Sequence, residues 1–255
     1  RGDTTGRAAR PGGAELMQYV LSLIFIGQMY LMMLIMAIAY LPFVLVDRRF
    51  AYHAVHTYCR WVRWSAAHIV GLKSEVRGEV PQGEVIVASK HQSFFDIILL
   101  VSVLPRPKFI MKSSLRFAPI VGWYANRIGC VPVNRGKRAE AIRQMMAGVT
   151  SGDAPAGQLV IFPQGTRVAP FSYLPYKIGT FVIYNVTGQP CVPAATNVGI
   201  FWPRHGILRK PGLAVVEFLM TIEPGLDRET FMERLEADVE VASDRLMTDE
   251  ALPQA

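Results

Sequence analysis

His91 and Asp96 make an HxxxxD pattern inside "SKHQSFFDIILL", residues 89–100, where a polar turn meets an apolar run. A histidine held against a hydroxyl can take its proton during nucleophilic attack. A carboxylate on the far ring nitrogen would fix the tautomer and stabilise the imidazolium. The same residues also read as a helix start, with Ser93 as N-cap and Asp96 reaching back from the first turn in a capping box. On that reading Asp96 has a structural job and His91 has none. The spacing fits both, and Asp96 must choose between the Ser93 backbone and the His91 ring.

Two further polar stretches follow short apolar runs. "CVP" leads into "VNRGKR", which holds Arg135, and "LVIF" leads into "PQGTR", which ends at Arg167. The elements that would position them alternate. "VIVASK", "KFIMK", "CVPVNR", "QLVIFP", "CVPAATN" and "LAVVEFLMTI" read as strands. "DIILLVSVL", "KRAEAIRQMMAGV", "GTFVIYNVTG" and "LDRETFMERLEADVEVASDRL" read as helices, and "SSLRFAPIVGWYANRIG" as short helical turns. That alternation predicts an α/β domain over residues 72–247, a mixed, mainly parallel sheet flanked by helices. Ligands of such sheets lie outside the carboxyl ends of strands, so the three polar strand ends are expected to converge on one cleft. Residues 1–13 and 248–255 read as disordered or flexible termini.

Residues 16–46 carry no charged side chain. That is well beyond the ~20 residues a spanning helix needs and too long for a signal-peptide core. It reads as a membrane anchor, either one tilted span or two short helices broken near Gly27-Gln28 and dipping into one leaflet. In "DRRFAYHAVHTYCRWVRWSAAHIVGL", Phe50, Ala54, Tyr58, Trp61 and Trp64 share one helical face among arginines. This reads as an interfacial helix at headgroup level, the alternative being a core-facing amphipathic helix. Residues 14–71 thus form the anchoring and interfacial segment. "WPRHGILRK" reads as a basic, aromatic loop able to touch headgroups. The net charge of +7 points to an anionic partner, and without zinc-finger, basic-zipper or RNA-binding signatures nucleic acid is excluded in favour of lipid or a phosphorylated substrate. Three widely spaced cysteines, Cys59, Cys130 and Cys191, form no disulfide framework or zinc pattern and read as buried apolar residues.

"KHQSFFD", "GCVPVNR", "FPQGTR" and "CVPAATN", in that order, resemble the four blocks of the glycerolphosphate acyltransferase superfamily, specifically the 1-acylglycerol-3-phosphate O-acyltransferases. One HxxxxD says little; four ordered blocks are specific, and they span residues 85–197. "MKSSLRFAPIVGW" resembles the segment between the first two blocks. The resemblance implies acyl transfer from a thioester, acyl-CoA or acyl carrier protein, to the sn-2 hydroxyl of lysophosphatidate, with phosphatidic acid as product. His91 would be the general base and Asp96 its orienting carboxylate. Lys112, Arg135 and Arg167 would hold the acceptor phosphate, and Gln164, Gly165 and Thr166 would complete the substrate-binding turn. No metal or cofactor is implied. The partners would be membrane lipids and the two substrates, at the cytoplasmic face of the inner membrane. Two positions depart from the family pattern: Lys90 where asparagine is usual, and Gln164 where glutamate is usual. An amide cannot act as a base or carry charge. Natural variation, a different acceptor such as a lyso-ornithine lipid, and lowered activity are three open explanations. A non-catalytic lipid-binding or scaffold protein is the alternative outside enzymes.

Overall fold

The computed structural model describes residues 12–134, 140, 142–144, 146–147 and 156–251. Helix α1 (Gly13–Val46) and helix α2 (Arg49–Ile69) precede the sheet. Strand β1 (Leu72–Arg77), β2 (Ile86–Ser89), helix α3 (Phe95–Val103), β3 (Lys108–Lys112), a 3-10 turn (Ser113–Phe117), α4 (Val121–Arg127) and β4 (Val131–Val133) follow. Then come β5 (Leu159–Ile161), α5 (Gly179–Thr187), β6 (Cys191–Thr196), a 3-10 turn (Val198–Ile200), β7 (Gly212–Phe218) and α6 (Arg228–Ala251). Helix α6 thus runs past Leu246, where the helix read from sequence ends, and into the stretch expected to be a flexible terminus.

The sheet order is β1-β7-β6-β2-β5-β3-β4. Every pairing is parallel except β6 with β7, which is antiparallel. Both faces of the central strands are covered, so these strands read as unbroken apolar runs. Val87, Val160 and Val192 join the core beneath α1–α4, while Ile86, Ala88, Leu159 and Ile161 join Ile183, Tyr184, Phe231, Leu235 and Val239 of α5 and α6. Helix α5 ends, as its sequence indicates, at Gly188 in the left-handed region (φ +62). Strand β1 escapes a reading from sequence. "LKSEVR" is an edge strand with Lys73 and Glu75 exposed, and it offers only two apolar residues to a period-two pattern.

Helix α1 is the one helix among the described residues long and apolar enough to cross a membrane. It is continuous through Gly27; the chain reverses only at Asp47-Arg48, where the Asp47 carboxylate accepts the Arg49 N–H at 2.8 Å. Of the two readings of this segment the single helix is the one formed, and Gln28, at the alternative break, is tied to α2. Its amide donates to Ser65 Oγ at 2.9 Å and accepts Trp61 Nε1–H at 2.9 Å. Two other polar residues of α1, Gln18 and Ser22, also face protein, whereas Glu15 and Tyr30 are exposed. Gln18 donates to the carbonyls of Val70 and Arg209, and Ser22 Oγ accepts the Arg209 N–H. Leu16, Leu23, Leu31, Ile35, Ile38 and Leu45 point outward, exposed. A helix of a water-soluble protein buries its apolar stripe; α1 turns Gln18, Ser22 and Gln28 inward and leaves most of its apolar side chains exposed, as a lipid-facing helix does.

Helix α2 packs between α1, α3 and β1. Ala51, Tyr52, Ala54, Cys59, Val62, Ser65 and Ala66 are buried, whereas Phe50 and Trp64 are exposed. The aromatic stripe is therefore divided: Ala54 belongs to the core, and only the exposed ends keep an outward face. Arg63 holds Ser74 and Ser102, and His56 Nε2 meets the Leu104 carbonyl at 3.0 Å. The loop "WPRHGILRK" departs from its expected headgroup contact at its two largest residues. Trp202 is buried against Phe25 and Phe95, with the buried Arg209 guanidinium 4.3 Å above its ring. Burial lowers the Arg209 pKa to about 10.

Candidate active site

Strands β2, β5 and β3 are parallel neighbours, so their carboxyl ends open on one edge of the sheet. The chain passes from β2 to β3 and later returns to fill the place between them with β5. A crevice at such a reversal of strand order is the usual ligand position in open α/β sheets. The β2 end delivers His91, β3 ends on Lys112, and the β5 end delivers the turn Phe162–Arg167. The two loops are joined by the Val168 N–H, which donates to the His91 carbonyl at 2.8 Å.

His91 Nδ1 lies 2.9 Å from Asp96 Oδ2. A carboxylate only accepts, so Nδ1 carries the proton and Nε2 of the neutral ring keeps its lone pair. The same Oδ2 accepts the backbone N–H groups of Gln92 at 2.7 Å and Ser93 at 2.9 Å. Asp96 therefore does not choose between capping and the imidazole: one buried oxygen serves both. Ser93 Oγ accepts the Phe95 N–H at 3.2 Å, but the N-cap position falls on Phe94, one residue later than the sequence pattern places it, because the helix begins at Phe95. Asp96 is 0% exposed, and its Oδ1 finds no hydrogen-bond partner among the described residues. The His91 ring is stacked on Phe162, 3.9 Å between centroids.

A cavity of about 490 Å³ opens beside His91. Its walls come from α1 (Met33, Met36), α2 (Val55, Tyr58), α3 (Ile97, Ile98, Val101), β3 and α4, and are almost wholly apolar. His91, Lys112 and Arg167 also line it. Arg167 is held in place by a reciprocal pair of bonds, its Nη1 donating to the Arg204 carbonyl and Arg204 Nη1 donating back to the Arg167 carbonyl. His91, Asp96, Lys112 and Arg167 thus come together as the sequence reading expects. Arg135 lies outside the described residues.

Gln164, Gly165 and Thr166 line a second cavity of about 780 Å³, which shares only Ile110 and Phe162 with the first. Gly165 closes the turn, donating to the Phe162 carbonyl at 2.8 Å with φ at +70. A Cβ there would come within 2.6 Å of Lys177 Nζ, the movable end of a flexible side chain, so it is the left-handed backbone that calls for glycine. The buried Gln164 side chain faces inward, toward Leu174 and Glu240 of α6. Lys177 beside the turn and Phe162 against the imidazole were not singled out from sequence. Phe162 sits in the quoted block, but nothing in an apolar strand end signals which ring it will cover. Among the described residues, no three His, Cys, Asp or Glu side chains gather into a metal site.

This edge of a mainly parallel sheet, with an imidazole and carboxylate at the mouth of an apolar cavity, has relatives. The sequence profile described as Acyltransferase matches residues 73–197, just under half of the chain. Over much the same stretch the chain is similar to proteins named 1-acyl-sn-glycerol-3-phosphate acyltransferase. The relative from Pseudomonas aeruginosa is 26% identical over 160 residues, 62% of each chain. The one from Saccharomyces cerevisiae is 29% identical over 161 residues, 60% of this chain and 53% of its own. The matches thus span about half to three fifths of these relatives' lengths. The crystal structure of the 1-acyl-sn-glycerophosphate (LPA) acyltransferase PlsC from Thermotoga maritima superposes with a TM-score of 0.76. It covers 90% of this chain and 98% of that one at 22% identity, a likeness of fold.

Proposed function

We propose that the protein is a membrane-anchored 1-acylglycerol-3-phosphate O-acyltransferase. It moves an acyl chain from a thioester, acyl-CoA or acyl carrier protein, to the sn-2 hydroxyl of lysophosphatidate. The observation that carries this reading is the His91–Asp96 pair, which leaves Nε2 as a base on the wall of an apolar cavity that Lys112 and Arg167 also line. Nε2 takes the hydroxyl proton as the oxygen attacks the thioester carbonyl, and Asp96 stabilises the imidazolium that forms. Collapse of the tetrahedral intermediate breaks the C–S bond, and the imidazolium proton goes to the departing sulfur. The thioester is already activated, so no acyl-enzyme is needed. Lys112 and Arg167 hold the phosphate through charge-assisted bonds, together with Arg135 in the sequence-based assignment. The apolar cavity takes an acyl chain. Helix α1, with its outward apolar face, sets the site at the membrane, on the cytoplasmic side where such thioesters are made.

Purified protein given lysophosphatidate and acyl-CoA is expected to release free thiol, and His91→Ala to lower the rate by about 10²–10⁴-fold. Full activity in His91→Ala, or preference for a phosphate-free acceptor, refutes the assignment. Protease protection in sealed vesicles checks the sidedness.

A further inference from the structure

A buried polar cluster lies beneath the site. Lys90, immediately before His91, is 1% exposed, and its Nζ is 2.5 Å from Glu240 Oε2 on α6. The second oxygen, Oε1, accepts the Tyr176 hydroxyl at 2.8 Å and Gln164 Nε2–H at 3.4 Å. Gln164 Nε2 also donates to the Leu174 carbonyl at 3.2 Å. Both partners of that nitrogen are acceptors, which fixes the amide's orientation. Burial first, and then the Glu240 charge, push the Tyr176 phenol far above its ordinary pKa, so it remains a donor.

We propose that Glu240 is a positioning residue that supplies, from the C-terminal helix, the negative charge that balances buried Lys90 and accepts the Gln164 amide. Balanced by Lys90, it anchors both loops of the site. One tie runs through Lys90 to His91. The other runs through Gln164 to the turn that sets Phe162 on the imidazole and Arg167 in the cavity. The arrangement requires an amide at 164. A glutamate there would put a carboxylate oxygen at the position now 3.4 Å from Glu240 Oε1 and 3.2 Å from a carbonyl oxygen. Two buried carboxylates would then share one ammonium. The two departures from the family pattern, Lys90 and Gln164, are therefore parts of one charge arrangement completed by Glu240. This inference deepens the acyl-transfer reading and rests on it for its kinetic part.

The test compares the unmodified protein with Gln164→Glu, Glu240→Gln and the double variant, using acyl-CoA, lysophosphatidate and thermal melting. Each single variant is expected to lower kcat per folded protein about tenfold or more and to raise the acceptor KM, with the donor KM unchanged. A merely structural loss would reduce the folded fraction and leave both KM values alone. The double variant again holds one carboxylate and one ammonium, and should recover kcat to within about threefold of the unmodified protein. A double variant as slow as the product of the single effects overturns the proposal, as does an unchanged kcat in Glu240→Gln. If a single variant fails to fold, the double decides alone: recovery of fold and rate supports the proposal, failure overturns it. Melting temperatures need no substrate, so their non-additivity still reads the coupling if lysophosphatidate proves not to be the acceptor.

Discussion

Replacing Asp96 with asparagine separates the two jobs of its carboxylate. In the native site Oδ2 accepts three N–H groups, from the His91 ring and the Gln92 and Ser93 backbones. An asparagine oxygen in the same place keeps all three bonds but removes the charge. Hydrogen bonds to a charged group contribute about 1.5–3 kcal/mol and neutral ones about 0.5–1.5. The two backbone bonds together should then lose about 2 kcal/mol of stability, or roughly 4–8 °C of melting temperature in a chain of this size. The new NH₂ falls where Oδ1 now lies buried without a partner among the described residues, which adds to the loss. The catalytic effect is separate. A charge pair about 4 Å apart at an effective dielectric of about 20 interacts by ~4 kcal/mol. Losing 3–4 kcal/mol of imidazolium stabilisation lowers kcat by about 10²–10³-fold. The assay is thiol release at saturating substrates, normalised to folded protein, beside a melting curve. A lowered melting temperature with kcat within threefold of the unmodified enzyme would refute the reasoning and leave Asp96 as a helix cap alone.

Other expectations follow from the same geometry. Arg167→Ala or Lys112→Ala should raise the KM for lysophosphatidate about 10–100-fold, as loss of one charge-assisted bond implies, and leave turnover of a phosphate-free monoacylglycerol unchanged; steady-state kinetics with both acceptors decides. Ala125→Phe intrudes into the apolar cavity and should slow long-chain donors more than short ones, at about 0.8 kcal/mol per displaced methylene; a uniform loss across chain lengths would move the acyl chain elsewhere. The cysteines are buried, and burial pushes the Cys130 and Cys191 thiols up to about 12 and raises that of Cys59. Maleimide should spare the native protein at pH 8 and label all three thiols after denaturation, which mass spectrometry reads; rapid native labelling would contradict the packing.

Local patterns reached far into this protein. The central strands announce themselves because both faces are covered, which makes "VIVA" and "LVIF" unbroken apolar runs. Gly188 marks the end of α5 because only a left-handed residue closes that turn cheaply. Edge strand β1 stayed hidden because half its side chains meet water. The stretch 16–46 shows in sequence that it is a membrane-type segment. That it forms one continuous helix, with Gln28 meeting Ser65 and Trp61, is something hydropathy does not record.

At the site the sequence determined which residue types stand at the strand ends, and so the kind of chemistry available: an imidazole, a carboxylate and cations in fixed order. Spacing could not say whether Asp96 caps a helix or orients His91, since both bonds lie within reach of one carboxylate; the folded turn showed a single oxygen making them together. Nor could it explain Gln164. Residue 164 and its partner Glu240 lie 76 positions apart, and Lys90 and Glu240 lie 150 apart. Local patterns encode neighbours along the chain, whereas the balance of a buried charge depends on neighbours in space. Only the tertiary structure brings those three side chains together.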